Sequence, residues 1–331
     1  MPASERIPAR RMSRTAAERG PASSPASEET RTHLALGTLS VRGQIREASN
    51  AVLFGVVEHE GRRVPCVYKP VAGERPLWDF PDGTLAQREV AAYEISRATG
   101  WDLVPATVLR AGPYGEGMCQ AWVGPQPEEA PSGDGDDGDD GDTTDVADET
   151  DGPGPAGGAE EPAESEETDG GEELLAIVEG GEPGEGWKAV GHVDTGTARP
   201  ALLVHADDAR LRRLAVIDAV VNNGDRKGGH LLTLPTGELY AIDHGVTFHV
   251  DDKLRTLLWG WAGEELTAEA TAVLRRLSAA LDEGEPLAVR LSGLITEAEL
   301  EALRKRIEGL LSSGRHPLPS GDWPAIPWPP V

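Results

Sequence analysis

The chain has 331 residues, with 31 Lys+Arg against 57 Asp+Glu and a net charge of −26. Twenty of the acidic residues, and no Lys or Arg, fall in the 46 residues 128–173, and outside that run the net charge is −6. The charge therefore describes a segment, not a fold, and the length suits one large or two ordinary domains. No basic stripe supports nucleic-acid binding. No apolar run is long enough for a transmembrane helix, and the Arg-bearing N-terminus lacks the apolar core of a secretory signal. Two cysteines, Cys66 and Cys119, are too few for a disulfide scaffold or a Cys-rich zinc site. The expectation is a cytoplasmic protein with no membrane insertion and no nucleic-acid partner.

In chain order, residues 1–31 are rich in Ala, Arg, Ser and Pro without apolar periodicity and read as a disordered tail. Order is expected from about His33. Residues 34–41 alternate, 51–57 are strongly strand-like, and the polar residues 46–50 connect them. Residues 64–69 form another strand candidate closed by Pro70, and 76–84 a loop. Residues 85–99 read as a helix ended by Gly100. Strands over 102–109 and 117–123 follow, so that 32–125 form a small lobe with the order β-β-β-α-β-β. Residues 126–186 hold few apolar groups, too few to offset chain entropy, and read as an acidic disordered insertion. A large lobe is expected over 187–315. In it, 209–221 is a helix, 222–229 a loop, 231–234 and 239–242 a hairpin around Pro235-Thr236-Gly237-Glu238, and 266–281 and 297–311 are helices. Residues 316–331 are a Pro/Trp-rich, irregular end.

Three features stand in a telling order. Lys69 lies on a strand, and Glu89 follows twenty residues later on a helix. Then comes Asn222-Asn-Gly-Asp-Arg-Lys-Gly-Gly-His230, followed after the hairpin by Ala241-Ile-Asp-His-Gly245. Singly, each has a bland reading as surface charge or turn. Together they match phosphoryl transfer. That chemistry needs a point cation for nucleotide phosphates, a helix carboxylate to hold the cation, a loop carboxylate to receive a proton, and a second carboxylate for Mg²⁺.

With these residues in view, the chain resembles phosphatidylinositol 3-/4-kinases, in particular an actinobacterial phosphatidylinositol 3-/4-kinase-like family within the atypical protein-kinase-like fold. The segments that carry the resemblance are Asp225-Arg226, Ile242-Asp243-His244-Gly245, Lys69-Pro70 and Arg88-Glu89. The resemblance implies a two-lobed α+β fold, β-rich small lobe and helical large lobe, with ATP and Mg²⁺ or Mn²⁺ between the lobes. In it Lys69 contacts the α/β phosphates and Glu89 holds Lys69, with Glu94 the alternative. Asp225 is the catalytic carboxylate, and Asp243 binds metal. His230 stands where the family usually has a metal-binding Asn, and either ligates the metal, orients Asp243 or marks altered activity. Lys227 stands where lipid 3-kinases tend to carry a His. No Gly-x-Gly-x-x-Gly occurs, so the phosphate cradle is assigned to 47–50 with the Ser49 hydroxyl. The adenine site is assigned to Gln120, Trp122 and Val123.

The activity implied is a phosphotransferase moving the γ-phosphoryl group of ATP to a hydroxyl of a lipid, protein or small molecule. Its rivals are a non-catalytic pseudokinase that binds partners through the acidic insertion, and nucleotidyl transfer. His244 and His249 read as core hydrogen-bonders, Asp251-Asp252 as a solvated turn, and Trp259 and Trp261 as anchors of the large lobe.

Overall fold

The computed structural model describes residues 23–45, 51–75, 77–80, 83–126, 174–193, 201–321 and 324–329. The tail through residue 22, the 46–50 connection with Ser49, and most of the acidic run lie outside the described residues.

The small lobe is an antiparallel five-stranded sheet of β1 (Thr38–Gln44), β2 (Leu53–His59), β3 (Arg62–Pro70), β4 (Thr107–Gly112) and β5 (Gly115–Ala121), in the order β1-β2-β3-β5-β4. Glu60 and Gly61 join β2 to β3 with positive φ at both, the backbone that a tight, right-twisted hairpin requires. Alternation then sorts the side chains. Val64, Cys66 and Tyr68 of β3 and Cys119 and Ala121 of β5 enter one core. Lys69, Val67, Met118 and Gln120 consequently take the opposite face, with Lys69 beside Met118 and Val67 beside Gln120.

Two helices accompany this sheet. α1 (Glu28–Leu36) is capped by Ser27, whose hydroxyl accepts the Thr30 N–H, and places Leu34 in the first core. It is a correction to a strand beginning at 34 and to a tail running through 31. The helix is short and polar and buries only Thr30, His33 and Leu34, so no apolar period announces it. α2 (Leu85–Thr99) has both halves of a capping box, Thr84 and Gln87, and Gly100 ends it in the left-handed region. The Glu74 carboxylate also accepts the Leu85 and Ala86 N–H groups, where the helix dipole favours negative charge. Tyr93 of α2 belongs to the sheet core, whereas Val90, Ala91 and Ile95 belong to the core of the large lobe. The two lobes therefore share this helix.

The large lobe opens with β6 (Leu175–Glu179), β7 (Trp187–Val193) and β8 (Ala201–Ala206), an antiparallel sheet in the order β6-β8-β7. β6 falls inside the stretch 126–186 expected to be disordered, so the ordered chain resumes by Leu174. The helix α3 (Ala209–Val221), capped by Asp208, carries Leu211, Leu214 and Ile217 into the core. β9 (Leu231–Thr233) and β10 (Leu239–Ala241) form the expected hairpin. α4 (Ala268–Ala280), α5 (Pro286–Ser292) and α6 (Glu297–Ser313) complete the lobe. The expected strand over 102–109 starts only at Thr107. Asp102 has positive φ, and the Val104 N–H goes to Ser96 Oγ instead of a neighbouring strand.

Candidate functional site

The site forms where the free face of the sheet meets the loops after α3 and β10. Near the end of β3, Lys69 Nζ lies 2.7 Å from Glu89 Oε1 and 3.1 Å from Asp243 Oδ1. Glu89 is only 2% exposed. Its second oxygen accepts the His244 N–H at 2.9 Å, so one carboxylate ties the small-lobe cation to the backbone of the large lobe. Asp243 has φ +59°, a conformation Asp and Asn tolerate better than most residues, and its carboxylate stays half exposed at 50%. Its other oxygen is 3.4 Å from His230 Nε2.

The electrostatics follow from these contacts. Burial pulls the Lys69 ammonium down, but Glu89 and Asp243 outweigh it and hold the pKa above the ordinary lysine value. Burial alone would raise Asp243, yet Lys69 and then His230 hold the carboxyl well below the usual range. Burial lowers His230 against the pull of Asp243, so its imidazole is neutral at neutral pH.

A buried network sets the loop that carries Asp225. Arg226 and Asp218 are both fully buried. The Arg226 Nε and Nη2 groups donate to the Asp218 carboxylate at 3.0 Å, and Nη1 donates to the Ile242 carbonyl at 2.9 Å. Asn223 Nδ2 donates to Asp218 Oδ1, and Asn223 Oδ1 accepts the Asp225 N–H, each at 3.0 Å. Arg226 Nη2 also reaches His244 Nε2 at 2.6 Å. With that nitrogen accepting, the ring proton falls to Nδ1, which is buried without a partner among the described residues. Burial and Arg226 push the His244 pKa far down, which keeps the ring neutral. Asp225 is left partly exposed at the mouth of the loop, its carboxylate 3.1 Å from Lys227 Nζ.

Glu89, Lys69, Asp243 and His230 thus form one chain of contacts in that order, while the Asp225 carboxylate touches Lys227 and its loop is tied to the Asp243 segment by the Arg226–Ile242 hydrogen bond. Glu94 is not part of this set. It is buried on the far side of α2, paired with Arg97 at 2.9 Å and Arg290 at 3.2 Å. Gln120 shares the sheet face of Lys69, and its Nε2 donates to Thr107 Oγ1 at 2.8 Å. The Trp122 N–H is taken by the Pro65 carbonyl, and its ring packs edge-on against Phe54 at 5.1 Å. Val123 is buried with Ala26 and Tyr240. Ser49 and the 47–50 cradle lie outside the described residues. Trp259 and Trp261 donate to Ala325 O and Asp207 Oδ1, the structural role expected of them. Sequence reasoning missed Asp218 and Asn223, whereas His244 is the core hydrogen-bonder expected. The available signal was a carboxylate inside the apolar run 214–221, which only a buried cation would permit.

The donor set could contribute to holding a divalent cation but does not by itself complete a coordination shell. It offers one half-exposed carboxylate and one neutral imidazole, and among the described residues no group of three or more His, Cys, Asp or Glu side chains could hold a metal alone.

No protein-family model matches the chain. Protein Rv2133c of Mycobacterium tuberculosis (strain ATCC 25618 / H37Rv) is 44% identical over 296 residues, covering 89% of this chain and 93% of that one. Among solved structures, hydra Fam20 with sugar has a TM-score of 0.43 at 12% identity, over 85% of this chain and 86% of that chain. The Golgi casein kinase has a TM-score of 0.42 at 11% identity, over 86% and 73%. No described helix is long and apolar enough to cross a membrane.

Proposed function

For a chain that belongs to the family of Protein Rv2133c, we propose an ATP- and divalent-metal-dependent phosphotransferase of protein-kinase-like fold, acting on a hydroxyl acceptor. The observation that carries this reading is the Glu89–Lys69–Asp243 bridge, a cation held between two carboxylates at the junction of the lobes.

In this reading Lys69 exchanges its contact with Asp243 for the α/β phosphates, while Glu89 keeps it aimed. Asp243 and His230 would hold the metal, which when bound supplies positive charge to the phosphate oxygens; the imidazole favours Mn²⁺ more than an amide oxygen would. Asp225 orients the acceptor and accepts its proton as the new O–P bond forms. The bond from the γ-phosphorus to the bridging oxygen breaks, and ADP leaves. Lys227, beside Asp225, meets the charge of the transferring group. Gln120 and the chain through Trp122 and Val123 would border the base, and Ser49 would cap a phosphate oxygen. The acidic run 128–173 would be repelled by an anionic lipid surface, so a protein or small-molecule hydroxyl fits the acceptor better than a membrane phosphoinositide.

The test is the melting temperature with ATP, with and without Mg²⁺ or Mn²⁺, for wild type and Asp243→Asn. Asn tolerates the same positive φ, so the variant is expected to fold. ATP at about 100 times its Kd should stabilise wild type by roughly 2.7 kcal/mol, only with metal, and the variant should lose that gain. No shift under any condition, or a shift unchanged in Asp243→Asn, would overturn the reading.

A further inference from the structure

The second feature built like a binding site lies away from the lobe junction, in a groove of about 390 Å³ between α3, α6 and the segment 250–254. That size is within the range of small-molecule pockets. Its walls include Ala219, Leu254 and Leu310, and two apolar side chains at its rim, Val250 and Leu318, are 48% and 68% exposed. Lys305, Arg306 and Arg315 also line it, against one acid, Asp252.

Arg306 is the unusual member. Its Nε and Nη1 donate to the Val220 and His249 carbonyls at 3.0 and 3.1 Å. Its Nη2 is buried without a hydrogen-bond partner among the described residues, and the carboxylates of Asp252 and Glu299 act on the guanidinium by charge, with no hydrogen bond to it. Burial holds its pKa down to about 10, which still leaves it charged at neutral pH. Burial still outweighs those two charges, so a half-buried guanidinium whose hydrogen bonds go only to neutral carbonyls gains from an anion that reaches it. A second observation points into the same groove. Gly309 sits in the interior of α6, where glycine weakens a helix, and a Cβ there would meet nothing within 4 Å. Packing does not require glycine at this position; its effect is to leave that side of the groove open.

We propose that this groove binds a small amphiphilic anion, with a carboxylate or phosphate head at Arg306, Lys305 and Arg315 and an apolar chain along Ala219, Leu254, Leu310 and Leu318. Asn222 lines the groove three residues before Asp225 and holds the 249–253 segment by hydrogen bonds to His249 O, Asp251 O and the Lys253 N–H. An occupant therefore lies directly behind the Asp225 loop, a consequence that rests on the phosphotransferase reading; binding itself does not.

The experiment is calorimetric titration of the full chain, without nucleotide or metal, with octanoate, octyl phosphate, octanol and inorganic phosphate. Octanoate or octyl phosphate should bind at least tenfold more tightly than octanol or inorganic phosphate, and the tighter of the two identifies the head group. Gly309→Leu should fill the groove and weaken binding at least tenfold while leaving the melting temperature unchanged or higher. Arg306→Gln should weaken the anions at least tenfold and leave octanol unaffected. Equal binding of octanol would make this an apolar groove, and equal binding of inorganic phosphate a plain anion patch. Either result overturns the proposal, as does no binding of any probe or undiminished binding in Gly309→Leu.

Discussion

At the scale of single residues, the site depends on charges that are buried and answered. Lys69 answers Glu89, and Arg226 answers Asp218. Removing one member of such a pair strands the other, a larger loss than the pair's own net worth. Asp218→Asn should therefore destabilise the fold by about 3–5 kcal/mol in urea denaturation at pH 7. Lys69→Met should cost about 3 kcal/mol through the stranded Glu89. Adding Glu89→Gln to it should recover part of that stability without restoring any ATP-dependent shift. Recovery of nucleotide binding in the double variant would remove Lys69 from the site. That Lys69, Glu89 and Asp243 come together was legible in their order along the chain, a strand cation followed by a helix carboxylate and a loop carboxylate. Asp218 was not, because a carboxylate in an apolar helix reads as noise until its partner is known. That partner, Arg226, is eight residues on and beyond the turn of the helix, outside any local pattern.

At the scale of elements, the strongly patterned pieces were readable and the weakly patterned ones were not. α2 announced itself by Gly100 at its end, and α3 by its apolar face. α1 is polar, and β7 shows no alternation, with intermediate burial along most of its length. β7 is held by its neighbours: Gly260 packs so tightly that a Cβ there would clash with Lys188 Cβ and His205 Nε2. Gly260→Ala should accordingly cost on the order of 1–3 kcal/mol, measured as a lowered urea midpoint. An unchanged midpoint would mean that β7 and β8 adjust freely against this turn.

At the scale of the whole molecule, the two lobes share α2, and the large lobe buries neutral histidines. Burial and the Arg212 guanidinium push His316 down to about 4, and His205, His230 and His244 are lowered in the same direction. A group lowered on folding stabilises the protein above its unfolded pKa, and that stability is lost as pH falls toward the folded value. Stability should therefore drop between about pH 6.5 and 4. Of the fall from pH 7 to pH 5, about 2 kcal/mol should belong to His316 and be absent from His316→Gln, read from urea midpoints. Identical pH profiles for the two proteins would contradict the burial of a neutral His316.

The central claim is that the Lys69–Asp225–Asp243 arrangement moves the γ-phosphoryl group of ATP. Its most direct measurement is incubation of wild type and Asp225→Asn with Mg²⁺ or Mn²⁺ and ATP labelled at either the γ- or the α-phosphorus. The expected result is metal-dependent release of ADP, with the γ label leaving ATP for an acceptor hydroxyl or water and the α label staying in ADP, all of it at least a hundredfold slower in Asp225→Asn. The α label passing to an acceptor would make the chain a nucleotidyl transferase. No turnover by wild type under any condition would leave a nucleotide-free or non-catalytic module, and either outcome would contradict the assignment.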